Sequence, residues 1–218
     1  MECFDFNTAA EQQYGELIPA GTACKVMMNV RPGQAGPEGW LTPSQTSNVL
    51  LLNAEFTILE GPFARRKFWQ NLPFSGGQLN DKGESKSGEI TRTALRAMIE
   101  SSRNIHPSDM SDSAMSARRV QSFKVFDGIV FAAVVGIKKG DRGYPDRNTL
   151  QSVITPKHKE YGAIMSGNAS YTPPAGGSSA FSWVDTAVTD GPPQQGGSRA
   201  WAGGHQQQQR AAHENVTG

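Results

Sequence analysis

The side chains with most to offer chemically are cations and aromatics, and they gather in a few stretches. Arg65, Lys67 and Trp69 alternate along one run, Lys25 and Arg31 lie in another, and Lys138, Lys139, Arg142, Tyr144 and Arg147 crowd a short connection. Trp40 stands in a stretch rich in Pro, Gly and Ser. Cations hold phosphates by charge, and an aromatic ring offers a face on which an unpaired base stacks, at about 1–3 kcal/mol per base. The mixture therefore points to binding of a single-stranded polyanion. Each residue also has a plainer reading. A Lys or Arg in a turn is commonly only solvated, Tyr144 can pack its own loop, and Phe68, turned the opposite way from Trp69 by strand alternation, reads as core. The joint placement favours binding; no single residue does.

Bond-making chemistry finds no comparable support. The glycines and lysines of 77–87 lack phosphate-loop spacing, and Gly136, Gly140 and Gly143 do not form a dinucleotide-binding Gly-x-Gly-x-x-Gly. The histidines, His106, His158, His205 and His213, are scattered, without metal-ligand spacing. Asp141 and Asp146 read as turn residues neutralised by basic neighbours. Cys3 and Cys24 are lone thiols, too few for a structural zinc site and suited to a reducing compartment. The expectation is a non-enzyme with no cofactor and no metal.

The elements that must position these side chains follow from periodicity. A first strand begins after Pro19-Ala-Gly21, where Cys24, Val26, Met28 and Val30 alternate with Lys25, Met27, Asn29 and Arg31. Residues 32–48 form a loop. A second strand turns Leu50, Leu52, Ala54, Phe56 and Ile58 one way and Leu51, Asn53, Glu55, Thr57 and Leu59 the other, ending at a Glu60-Gly61-Pro62 turn. A third strand, Arg65–Leu72, buries Phe68 and Leu72 and exposes Arg65, Lys67, Trp69 and Asn71. The spacing of Ala94, Leu95, Met98 and Ile99 predicts a helix over Ile90–Asn104, capped by Ser87 and stopped before Pro107. A weaker helix is expected over Asp112–Gln121. A fourth strand, Ile129–Ile137, is apolar on both faces and so central; the fifth is Asn148–Thr155, ended by Pro156.

Five short strands with a helix between the third and fourth predict a mainly β domain of the OB type, a five-stranded barrel. Such barrels bind oligonucleotides on the strand 2–3 face and on the loops after strands 1 and 4. The expected interior is Val26, Leu52, Phe56, Ile58, Phe68, Leu95, Ile99, Phe131 and Val135.

Composition divides the chain. Apolar residues make up only 37%, with 24 Gly and 13 Pro, and the deficit falls at the end, where Tyr171–Gly218 is dominated by Gly, Pro, Ser, Gln and Ala. Such a segment cannot bury enough apolar surface to offset the entropy of ordering. The expected division is a folded domain over 1–163 and a disordered tail over 164–218, in which Phe181 and Trp183 form the one apolar cluster that could engage a partner. The formal charge of +1 is small for a nucleic-acid binder and weighs against that reading. No apolar run nears the roughly 20 residues that cross a bilayer, and the start carries no secretory leader pattern, so no membrane is expected and the cytoplasm is.

Several stretches, in order, are similar to a phage-encoded family thought to be single-stranded-DNA-binding proteins with an OB fold. They are Phe4-Asp-Phe6, Leu17-Ile-Pro-Ala-Gly21, Phe56-Thr-Ile-Leu-Glu-Gly-Pro-Phe-Ala-Arg-Arg-Lys-Phe68, Gly136-Ile-Lys-Lys-Gly140 and Tyr144-Pro-Asp-Arg-Asn148, spread over roughly residues 4–156. The resemblance implies sequence-tolerant binding of single-stranded DNA in phage replication or recombination, within the host cytoplasm, with replication or recombination proteins as partners through the tail. A homo-oligomer is left open. The chain departs from the family in a long 32–48 loop and a long 74–124 segment, and it ends without the acidic, Phe-ended tip of bacterial single-stranded-DNA-binding proteins. The competing expectation is an OB-type module that docks a phage or host replication protein, with Trp69 and Tyr144 as interface anchors.

Overall fold

The computed structural model describes residues 16–141 and 143–167. Its centre is an antiparallel sheet built around β1 (Thr22–Arg31), whose Val26, Met28 and Val30 are buried while Lys25, Met27 and Asn29 are half-buried on the other face. β3 (Leu50–Ile58) lies beside it, with Val26 opposite Ile58 and Arg31 opposite Asn53. Both β2 (Thr42–Pro43) and β4 (Lys67–Ser75) pair with β3. On the far side of β1 come β5 (Ile129–Lys138) and then β6 (Arg147–Ile154). The architecture is mainly β, an open sheet of six strands in which the five long strands run β4-β3-β1-β5-β6.

Two bulges curl this sheet. The register shifts at Leu50/Leu51 opposite β4, where Pro73 can donate no ladder bond, and again at Val134/Val135 opposite β6. A bulge bends its strand and increases the local twist. The two ends of the path are thereby brought together: the Leu150 amide of β6 donates to Gln70 Oε1 of β4 at 2.9 Å. This contact is made by a side chain, and among the described residues no backbone ladder joins β4 to β6.

Helix α1 (Lys86–Ser102) packs against β4, β5 and β6 and buries Ala94, Leu95, Met98 and Ile99. All nine side chains expected inside are buried, with Phe56 stacked on Phe68 at 5.0 Å and edge-on to Phe131 at 6.3 Å. The helix begins earlier than its apolar periodicity suggests. Ser85 caps it, accepting from the Gly88 amide at 3.0 Å while donating to Gly76 O at 2.6 Å, so Ser87 falls inside the first turn. Helix α2 (Asp112–Arg118) stops short of Gln121, because Arg118 turns inward to Glu100 at 2.7 Å and Arg119 is extended. Glu100 is buried and also accepts from Arg96 at 2.9 Å. Arg118 donates further to the carbonyls of Asp109 and His106, which ties the α1–α2 connection down.

Two short elements had no legible periodicity: β2, with only two residues, and α3 (Tyr161–Met165), with five. α3 covers Ala23, Ala132 and Ile154 on the outer sheet face with Tyr161 and Ile164, and the Tyr161 hydroxyl donates to Ser101 O. It runs across the expected domain end at residue 163. The tail, with Phe181 and Trp183, lies outside the described residues.

Candidate nucleic-acid interface

The outer faces of β1, β3 and β4 form a surface whose cross-strand rows are set by register. One row is Asn29, Glu55 and Trp69; its neighbours are Met27, Thr57 and Lys67 on one side and Arg31, Asn53 and Asn71 on the other. Alternation alone puts Glu55 among outward residues, yet it is only 8% exposed, because three side chains close over it. Lys67 Nζ binds Oε1 at 2.6 Å, Arg31 binds Oε2 at 2.7 Å, and Trp69 Nε1 donates to Oε2 at 2.9 Å. The Lys67 hydrogen bond, with those of Trp69 and Arg31, outweighs the cost of burial and lowers the Glu55 pKa from 4.5 to about 2. The carboxylate is thus a fixed anion at neutral pH, and it holds the edge of the Trp69 indole while 40% of that residue stays exposed.

The other expected site residues fall into distinct settings. Lys25 is paired with Glu60 at 2.7 Å. Arg65 is not on the strand face: β4 opens at Lys67, and Arg65 sits in the preceding turn at φ 68°, its amide donating to Ile58 O. A left-handed residue breaks the alternation that would have put Arg65 beside Lys67. Trp40 is half-buried and packs against the main core, where it is more anchor than platform. The loop it belongs to is folded on itself by reciprocal backbone bonds between Ala35 and Leu41.

At the opposite end of β1, Lys138 and Arg147 face each other across the β5–β6 ladder and are both exposed. Like charges directly opposite destabilise a sheet, and among the described residues neither has an ion-pair partner. Beyond them Lys139 pairs with Asp146 at 2.7 Å, and Asp146 also accepts from the Gly140 amide, which lowers its pKa and makes it the turn residue its sequence suggested. Tyr144 is 60% exposed at the tip; Arg142 lies outside the described residues. The Glu55 cluster therefore lies beside the 32–48 loop that follows Arg31, and the 139–146 loop stands at the far end of β1 from it.

Nothing in the local sequence pattern marks Glu55, and the same holds for a second basic feature. Arg103, Arg119, Val120, Gln121, Ser122, Lys124 and Val125 line an open groove of about 390 Å³. Its lining comes from the end of α1 and from the segment before β5, which no local pattern joins.

Among the described residues no group of His, Cys, Asp and Glu could hold a metal ion, and no helix is long and apolar enough to cross a membrane. Cys24 is buried, and burial pushes its thiol up to about 12, so it behaves as a small apolar side chain. No protein-family model matches the chain, and no curated protein matches it.

Proposed function

We propose that the chain binds single-stranded DNA without strong sequence preference, in phage replication or recombination, on an OB-type barrel. The observation that carries this is the Trp69 ring, exposed on an open sheet face and held in place by Glu55 between Arg31 and Lys67. A preformed ring costs little further ordering when a base stacks on it, and every base has a face to stack. The strand order, with α1 between β4 and β5, fits the partly open Greek-key barrel of OB folds. The position of the cluster beside the 32–48 loop supports the reading, since such barrels take oligonucleotides on the loop after strand 1, and the resemblance of residues 4–156 to the phage family points the same way.

Oligo-dT titration of the full chain tests the proposal. Wild type should bind with a marked salt dependence. Trp69→Ala should lose about 1–3 kcal/mol with little change in salt slope, because stacking releases few ions. A folded Trp69→Ala protein that binds like wild type would remove the platform. The second reading, a protein-docking module, draws on the internal pairing of Lys25, Arg31, Lys67 and Lys139, which leaves the face nearly neutral. Such a module would leave oligo-dT unbound at any salt.

A further inference from the structure

Resting on that reading, we infer that the groove lined by Arg103, Arg119, Val120, Lys124 and Val125 takes the phosphodiester backbone of the single strand where it leaves the Trp69 face. The inference starts from charge. On the face, three cations (Lys25, Arg31, Lys67) meet two carboxylates (Glu55, Glu60), a surplus of one. Stacking on Trp69 can hold bases, but phosphates need cations that are not already engaged. In the groove none of Arg103, Arg119 and Lys124 has a carboxylate partner among the described residues. Arg103 donates to the Ala117 carbonyl, and two acids touch the groove segment: Glu38, which accepts from Ser122, and Asp127, whose amide donates to the Lys124 carbonyl. The groove thus offers three cations without an ion-pair partner among the described residues, beside two carboxylates already engaged by Ser122 and by Val30 and Asn29.

The groove also adjoins the face. Asp127 accepts from the Val30 amide at 3.0 Å and from Asn29 Nδ2 at 3.3 Å, and Asn29 stands in the row of Glu55 and Trp69. Lys124 is three residues before Asp127, at most about 11 Å of extended chain. The Ser122–Glu38 bond ties the same segment to the loop that carries Trp40. A strand crossing the row from Trp69 to Asn29 therefore runs toward Lys124 and Arg119. Val120 and Val125, each 37% exposed, give the sugars an apolar floor. An acidic peptide would suit the cations equally, but nothing else on the groove selects a peptide, whereas continuity with the Trp69 face selects the strand.

The test uses Arg119→Gln combined with Lys124→Gln. Both side chains are exposed, and among the described residues neither has a partner, so the fold should persist, as a thermal melt would verify. Oligo-dT of about 16 nucleotides, the upper site size for one OB fold, should bind with a salt slope lower by about 1.4, at about 0.7 per phosphate. Oligo-dT of about 4 nucleotides, enough only for the face, should bind the variant like wild type. An unchanged slope with the long oligomer overturns the inference and leaves the Trp69 reading standing. Equal losses with both lengths overturn it too, since they would report a long-range field and not a contact. Wild type that binds neither oligomer brings down both.

Discussion

Glu55 and Trp69 face each other across the β3–β4 ladder, and the indole Nε1 donates to the carboxylate at 2.9 Å. The same carboxylate neutralises part of Arg31 and Lys67. One buried acid thus fixes the ring of the candidate interface and restrains its cations.

Replacing Glu55 separates these two effects. Glu55→Gln keeps an acceptor for Trp69 but releases Arg31 and Lys67. Oligo-dT binding should tighten at low salt and its salt slope should rise by about 0.7–1.4, for one or two added phosphate contacts. Weaker binding with a lower slope would show that the paired cations already do their part through Glu55.

The same residue sets a pH dependence. Its carboxyl titrates near 4.5 when free and at about 2 in the fold. The stabilisation is complete above about 4.5, is lost as pH falls toward about 2, and is absent below that, because the unfolded chain takes up the proton first. With its partners half-exposed, the contribution is on the order of 1–2 kcal/mol. Urea melts of wild type and Glu55→Gln should converge as pH drops through this window; a constant gap would refute the linkage.

Arg118 is the stronger structural test. Its removal leaves Glu100 buried with only Arg96, whose side chain is 53% exposed, takes the Arg118 donor from the Asp109 carbonyl, and leaves the His106 carbonyl with the Asp109 amide alone. Breaking a buried pair from one side costs about 3–5 kcal/mol. Arg118→Ala should therefore lower stability by about that much, while Arg96→Ala should cost under about 1 kcal/mol. Equal effects in denaturant melts would contradict this division.

Gly140 tests the β5–β6 loop. A Cβ there would lie 1.8 Å from the Tyr144 carbonyl oxygen, a backbone atom that cannot swing aside. Gly140→Ala should cost about 1–3 kcal/mol, as overpacking does. Gly162→Ala, in open space on α3, should be neutral or gain up to about 1 kcal/mol. A melt in which both behave alike would argue that the loop relaxes freely.

What the sequence determined by itself was the placement of faces. Period-2 alternation assigned Val26, Leu52, Phe56 and Phe68 to the interior and left Trp69 outside, because in a half-buried strand the side chain has only two directions. Helical spacing found the buried stripe of α1, though not its cap, since Ser85 is selected by a carbonyl nine residues back in the chain. Only the tertiary structure decided which outward side chains meet. The turn that sets Ile58 opposite Arg66 also sets Glu55, three residues back, opposite Trp69, three on; fixing that register needed the left-handed backbone of Arg65, an infrequent conformation for a residue other than glycine. Arg31 reaches Glu55 from β1 across 24 positions, and Arg103, at the end of the periodic helix, joins Lys124 of a segment without periodicity in one groove. Alternation tells which face a charge occupies, but whether that charge is free or already paired depends on the strand that folds beside it.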